Sequence, residues 1–534
     1  MFAKVKQLFT NLVIYGLGDV ATTIISFFLL PIYVRYLSPD DYGVLSLLLT
    51  TEVVTKILFR WGIDASFMRL YYDCADQRAR QVLASTQIWF LVVTNGTLLA
   101  IGLLGAPLLG HHLFHTSTYT LVLRLVLINT FVIGFYYVPF HVMRIEEQPR
   151  QFIALGFSRS LATLVLRLVF VIVLRFGVLG VVLADIVVTT IFTLVLTRWF
   201  VPLVRFVFSR EVLKESLRFG LPRVPHGVAH QVIAVFDRYI LGRFVTLHEL
   251  GLYSIGASFG LAMKLFLSAF EYAWAPFYFG LMKEPDAKET FSRVTTYGIA
   301  VLALLAAGLS AIASDLVAVM TTSQYHYAAR VVPWIALGVA LQGVYLLTSI
   351  GLNISKRTEY YPIATGIAAA TSVVMNLLLI PVLGIVGSGI ANVTAYAVLA
   401  GVSWRFAHRF YPIRYEYGRL ARVLAAGVIA FLAGRALPLT FGPIVGVLAR
   451  GTAVVAAFPA VLAVSGFFVP MELERLSELT GRLRRRRTIE APVETADMAG
   501  ELVSAPMTDT AEDAGEERGR PVDVKASNPP EQIT

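Results

Sequence analysis

Glu52, Lys56, Arg60 and Asp64 recur at four-residue intervals in an otherwise apolar stretch. Residues four apart share one face of a helix, so opposite charges there can pair. A charge at the bilayer centre costs roughly 2.5–3.5 kcal/mol on insertion scales, so such a group faces a bundle interior or a wet cavity rather than lipid. For Glu52 and Asp64 the preferred reading is an ion-paired ladder that holds helices together. Lys56 and Arg60 are assigned to substrate binding, because the chain repeats itself and places Lys264 at the equivalent of Lys56. Two cations lining one cavity repel unless an anion lies between them.

Other polar residues fall in apolar stretches. Glu271, two turns beyond Lys264, can moderate its charge. Asp19 suits either a proton or cation site or a partner for Lys56 or Arg60, and the partner role is preferred. Arg223, His226, His230 and Asp237 fall on one side of a seventh span. His226 and His230 can titrate near neutral pH or bind metal, but no third ligand is evident, so cavity lining is preferred and no metal is expected. Asp185, Asn376 and Asn392 are read as helix–helix hydrogen-bonding groups. Arg124, Arg159 and Arg167 fit either the cavity or an interface. His111, His112 and His115 fit an ordinary polar loop better than a metal site.

The elements that must carry these residues follow from composition. Of the 534 residues 57% are hydrophobic and 15% charged, and mean hydropathy is +0.70. A soluble chain of this length needs more polar surface, so lipid is the solvent for much of it. Runs of about 20 apolar residues, the length of a spanning helix, recur near 12–36, 42–65, 85–108, 119–143, 152–175, 178–201, 221–245, 249–275, 291–313, 328–352, 361–380, 384–406, 420–438 and 443–468. The fold class is therefore an all-α polytopic membrane protein of about 14 transmembrane helices. The single cysteine, Cys74, excludes an internal disulfide framework.

The net charge of +10 lies mostly in loops on one side, such as Arg69, Arg78 and Arg80, or Arg405, Arg409, Arg414 and Arg419, while His111 to Thr118 and Pro381 to Gly384 carry no Lys or Arg. This positive-inside pattern assigns the excess to topology rather than to nucleic acid, with both termini cytoplasmic. After Phe468 a basic run, Arg482 and Arg484 to Arg487, precedes a segment rich in Ala, Pro, Glu, Asp and Thr that is expected to be disordered.

Arg35 and Arg243, Gly43 and Gly251, and Ser46 and Ser254 are each 208 residues apart. Further on, Gly177, Gly180 and Ala184 recur as Gly384, Gly387 and Ala391 at an offset of 207. The repeat unit is six helices, an even number, which keeps both copies in one orientation about a pseudo-twofold along the membrane normal. The expected organisation is an N-terminal six-helix lobe over 1–205, a second over 206–412, two additional transmembrane helices over 413–470 and a cytoplasmic tail over 471–534. Ser38 with Asp41, and Thr246 with Glu249, are spaced as helix caps.

The run from Leu30 to Gly43, with Pro31, Arg35, Ser38, Pro39, Asp40, Asp41 and Tyr42, resembles the opening of polysaccharide exporters. These are the O-antigen-type flippases of the multidrug/oligosaccharidyl-lipid/polysaccharide (MOP) superfamily, and the resemblance covers about residues 1–470. It implies two lobes working by alternating access in the bacterial inner membrane. It implies an undecaprenyl-diphosphate-linked oligosaccharide as substrate, moved to the outer leaflet, with Lys56, Arg60 and Lys264 suited to hold its phosphates. Membrane lipids, and polysaccharide polymerase with chain-length machinery, are the partners it implies. The alternatives are a multidrug or small-solute cation-coupled antiporter, a membrane glycosyltransferase and an assembly scaffold. The glycosyltransferase is disfavoured by short external loops, so no enzyme and no cofactor is expected. No Gly-rich loop followed by Lys-Ser/Thr is present, which removes ATP as the direct energy source.

Overall fold

The computed structural model describes residues 30–146, 148–437 and 442–468. Asp19, residues 12–29 of the expected first span and the expected tail lie outside these residues. Every regular element among the described residues is a helix, and eleven helical segments are long and apolar enough to cross a membrane. One of them, Tyr360–Phe410, bends at Gly384 and contains both expected spans, 361–380 and 384–406. The expected seventh span is broken rather than continuous: a 3-10 turn, Leu221–Arg223, leads to Val224–Val235 and then Asp237–Phe244.

Two further expectations are corrected. The third span is longer than expected, Gln77–Phe114, so His111 and His112 sit in its last turn and the turn proper begins at His115. Asn376 donates to the Ser372 carbonyl of its own helix at 2.7 Å rather than across to a neighbour.

The helix Pro39–Arg60 starts as its sequence dictates. Asp41 donates its backbone N–H to Ser38 Oγ and its carboxylate accepts the Ser38 N–H at 2.9 Å. Thr246 and Glu249 form the same reciprocal cap on Leu247–Gly260. Each box satisfies backbone donors that a helix start otherwise leaves unpaired.

These two matched helices meet. Ser254 Oγ donates to Ser46 Oγ at 2.7 Å, across a separation of 208 residues. His248 Nδ1 lies 3.3 Å from Asp40 Oδ2, again 208 residues apart. A Cβ on Gly43 would fall 2.0 Å from the Leu247 carbonyl oxygen, and one on Gly251 would fall 1.8 Å from that of Pro39. Each repeat thus presents the same patch to the other, as subunits do at a twofold interface. Tyr325 of the second half seals one flank by donating to the Leu37 carbonyl at 2.7 Å.

The second pair of matched motifs is equally alike in space. Gly177 and Gly384 both have φ of +56°, a conformation that glycine adopts without strain. Three residues on, a Cβ on Gly180 would fall 3.0 Å from the Phe170 carbonyl oxygen, and one on Gly387 would fall 2.4 Å from that of Leu379. Both turns let one helix fold back tightly on the helix before it.

The last two helices, Tyr417–Ala436 and Pro443–Val464, are fastened to Ala287–Met320 of the second half. Arg450 pairs with Asp315 at 3.1 Å, both side chains being buried. Gly446 permits this contact, since its Cβ would fall 2.6 Å from the Asp315 carboxyl carbon.

The crossing makes two predictions. Gly43→Ala should destabilise the protein by roughly 1–3 kcal/mol, because the obstacle is backbone, whereas Gly366→Ala, in open space within its helix, should stabilise it by about 0.5–1 kcal/mol. Thermal unfolding in detergent checks both. In a Cys74→Ser background, Ser46→Cys/Ser254→Cys should cross-link on oxidation, and proteolysis in the 201–209 linker should then leave the halves joined on a non-reducing gel.

Candidate functional site

Below the crossing, the first repeat carries its charges down Pro39–Arg60. Lys56 Nζ pairs with Glu52 at 2.5 Å. Arg60 contacts Asp64 at 3.6 Å, and its side chain is 64% exposed, so that pair is loose. The ladder is therefore real, and it also engages the two cations assigned to substrate. The helix does not run on to residue 65 as expected. It stops at Arg60, with Trp61 at φ 49° and Gly62 at φ 70°.

Two successive left-handed residues, one of them a tryptophan, need outside support. Asn95 supplies it. Its amide donates to the Phe59 carbonyl at 2.9 Å and its oxygen accepts the Trp61 indole N–H at 3.1 Å. Gly62 is required a second time by packing, since a Cβ there would fall 2.2 Å from the Gly220 carbonyl oxygen. The break re-aims the next helix, Ile63–Tyr71, so that Asp64, Ala65, Met68, Arg69 and Tyr72 line one wall of a cavity of about 460 Å³, faced by His141 and Phe219.

The segment joining the repeats is docked on the first of them. Gln81, Trp89 and Gln87 donate to the Pro202 and Arg205 carbonyls and to Ser216 Oγ at 2.8, 2.9 and 2.9 Å. Ser85 and Thr86 accept the Arg205 and Ser209 backbone N–H groups at 2.8 and 3.0 Å.

In the second repeat, Asp237 is buried and fully engaged. Its carboxylate accepts from Arg238 Nη1 at 2.8 Å and from the Tyr253 hydroxyl. Asp237, Arg238 and Tyr253 line a narrow polar cleft together with Lys264, Asn392 and Tyr396. Asn392 packs its Oδ1 into the space beside Gly338 of a neighbouring helix. His226 Nδ1 lies 3.0 Å from Thr365 Oγ1, and His230 follows four residues on in the same helix. Glu271 does not pair with Lys264; it is exposed and lies near Tyr345. Asp185 forms a two-pronged ion pair with Arg167 at 2.7 and 2.8 Å, which settles the role of both. Arg124 donates to the Leu103 carbonyl at 3.2 Å, and Arg159 lies over the Tyr136 ring.

Sequence reading missed Arg238, Tyr253, Asn95 and His141. The adjacency of Asp237 and Arg238 signalled the first, and glycine after a charge ladder signalled a break at Gly62. Nothing in the sequence pointed to His141, whose ring stacks on Phe67 and whose buried Nδ1 has no hydrogen-bond partner.

The fold is shared with solved membrane proteins. It superposes with a TM-score of 0.70 on a structure described as "Lipid II flippase MurJ, inward closed conformation", at 11% identity, over 85% of this chain and 98% of that one. An inward-facing multidrug resistance MATE family transporter of the MOP superfamily gives a TM-score of 0.57 at 16% identity, over 74% of this chain and 97% of that one. No curated protein matches the chain. Residues 32–330 match the family described as polysaccharide biosynthesis protein, and the chain belongs to that family.

Arg238→Gln should destabilise the protein by roughly 3–5 kcal/mol, because it leaves a buried carboxylate without its cation. Asp237→Asn/Arg238→Gln should recover much of that loss. Thermal unfolding of the three proteins in detergent gives the comparison.

Proposed function

We propose that the chain is a flippase that moves a polyprenyl-diphosphate-linked oligosaccharide from the cytoplasmic to the outer leaflet of a bacterial inner membrane. Alternating access between the two lobes carries the substrate across. The observation that bears most weight is the 208-residue repeat that matches Lys56 with Lys264. The repeats touch at Ser46 and Ser254; Lys56 lies ten residues on within Pro39–Arg60, and Lys264 lies ten residues on past the 3-10 turn Leu261–Met263, at the start of the helix Lys264–Leu281. In this reading the two cations, at equivalent positions of the two repeats, share the charge of one substrate head group. Lys264 has no carboxylate partner among the described residues, since the nearby Asp237 is engaged by Arg238 and Tyr253. A diphosphate between the lobes supplies the missing counter-charge.

Two further features support this reading. The chain belongs to a polysaccharide biosynthesis family. A groove of about 380 Å³, lined by apolar residues such as Leu302, Ala306, Trp334, Leu337 and Phe431, suits an isoprenoid chain. The drug-antiporter reading needs an unengaged carboxylate for a cation. Glu52, Asp64, Asp185, Asp237 and Asp315 are each paired with a basic side chain, which leaves Glu271, without a basic partner among the described residues, as the carboxylate that reading would have to use. The loops rich in Lys and Arg face the cytoplasm in this arrangement, as does the end bearing Gly62 and Gly220.

The test is leaflet translocation of undecaprenyl-diphosphate oligosaccharides in proteoliposomes. Wild type should translocate, and Lys56→Ala/Lys264→Ala, checked for folding, should lose at least about tenfold in rate. Equal rates would remove the lysine assignment and keep the flippase. No transport by folded wild type across several glycans would remove the flippase itself.

A further inference from the structure

The cavity beside the Trp61–Gly62 break differs in chemistry from the lysine site above it. The guanidinium that lines it, that of Arg69, is already neutralised by Asp73 at 2.6 Å. An anion entering there meets a carboxylate for each cation and gains little. A cation meets the same balance in reverse. What remains on offer is aromatic and hydrogen-bonding surface. Tyr72 is 62% exposed, Phe219 and Met68 add apolar area, Asp64 carries acceptor oxygens, and His141 brings a ring with a buried, unpartnered nitrogen.

Neutral charge, an exposed aromatic face and a few convergent polar groups are the requirements of a sugar ring, whose C–H face packs on an aromatic while its hydroxyls bond to carboxylate and imidazole. The volume, about 460 Å³, falls in the range of ordinary ligand pockets. The site is also built rather than incidental. The Asn95 bonds and the Gly62–Gly220 contact hold a strained break whose effect is to turn the Asp64–Tyr72 face into the cavity.

We propose that this cavity is a carbohydrate subsite that takes a neutral sugar of the substrate's glycan. The proposal rests on the flippase reading and adds to it where the head group is recognised. Asp64 lies eight residues beyond Lys56, on the far side of the Trp61–Gly62 break and at the cytoplasmic end in this arrangement, so a diphosphate held at Lys56 leaves its glycan toward the cavity. Glycan selectivity then resides in the first repeat at the cytoplasmic end, apart from the lysines that hold the charge common to all such carriers.

The experiment measures binding to full-length protein in nanodiscs, with three probes: undecaprenyl diphosphate, the same carrier bearing a neutral linear trisaccharide, and the carrier bearing a trisaccharide with uronic acids. Wild type should bind the neutral glycolipid about tenfold more tightly than the bare carrier, and the acidic one less tightly than the neutral. Tyr72→Ala, at an exposed position that does not threaten folding, and Asp64→Asn should each bring the neutral-to-bare ratio close to one. Lys56→Ala should weaken all three probes and leave the ratio intact. A ratio unchanged in both cavity variants, or a wild type that binds neutral and bare carriers alike, would overturn the subsite while the flippase reading stands. Acidic glycan held as tightly as neutral would overturn the neutral-sugar assignment. A wild type that binds none of the three probes would remove the flippase reading and this subsite with it.

Discussion

Two helices that touch backbone to backbone govern this molecule. Glycine at 43 and 251 is the condition for that approach, because each lies against a carbonyl of the facing helix where no side chain fits. With the approach made, Ser46 and Ser254 come within hydrogen-bond distance. A cavity between two lobes needs such a convergence at one end. Packing of small residues is how helices associate tightly where lipid removes the hydrophobic drive.

The second governing constraint is electrostatic. Ionised groups in an apolar bundle are tolerated when paired, and most here are: Lys56 with Glu52, Arg167 with Asp185, Arg238 with Asp237, Arg450 with Asp315. These pairs do different things. Arg450–Asp315 fastens the last two helices to the second half, Arg167–Asp185 joins neighbouring helices of the first, and Arg238–Asp237 sets the charge of the cleft that Lys264 lines. Against that background Lys264, with no carboxylate partner among the described residues, acquires its meaning.

Much of this was legible in the sequence. The apolar runs gave helix positions because a bilayer demands length and apolarity. The offsets of 208 and 207 found pairs that prove to be in contact or alike in conformation, since glycine and cap residues are read by local backbone geometry. The breaks were harder. Trp61–Gly62 and the interruption at Phe236 interrupt stretches whose hydropathy is continuous, and the partner that supports the first, Asn95, is 34 residues away. Pairing was similarly hidden. Asp185 was expected to hydrogen-bond between helices and does so, but its partner Arg167, on another helix, was not identified by spacing, and Glu271 was linked to Lys264 by helical spacing that the structure does not turn into contact.

Asp40 and His248 occupy one and the same place in the two halves and face each other. In a dimer of identical subunits, a residue at such a place meets itself, so an acid there meets an acid and repels. Joining two copies in a single polypeptide lifts that restriction. Each copy can then drift separately, and the seam can become complementary where it was once obliged to be self-matching. The acid–imidazole pair at this seam is a chemistry open to a fused protein and closed to its homodimeric counterpart.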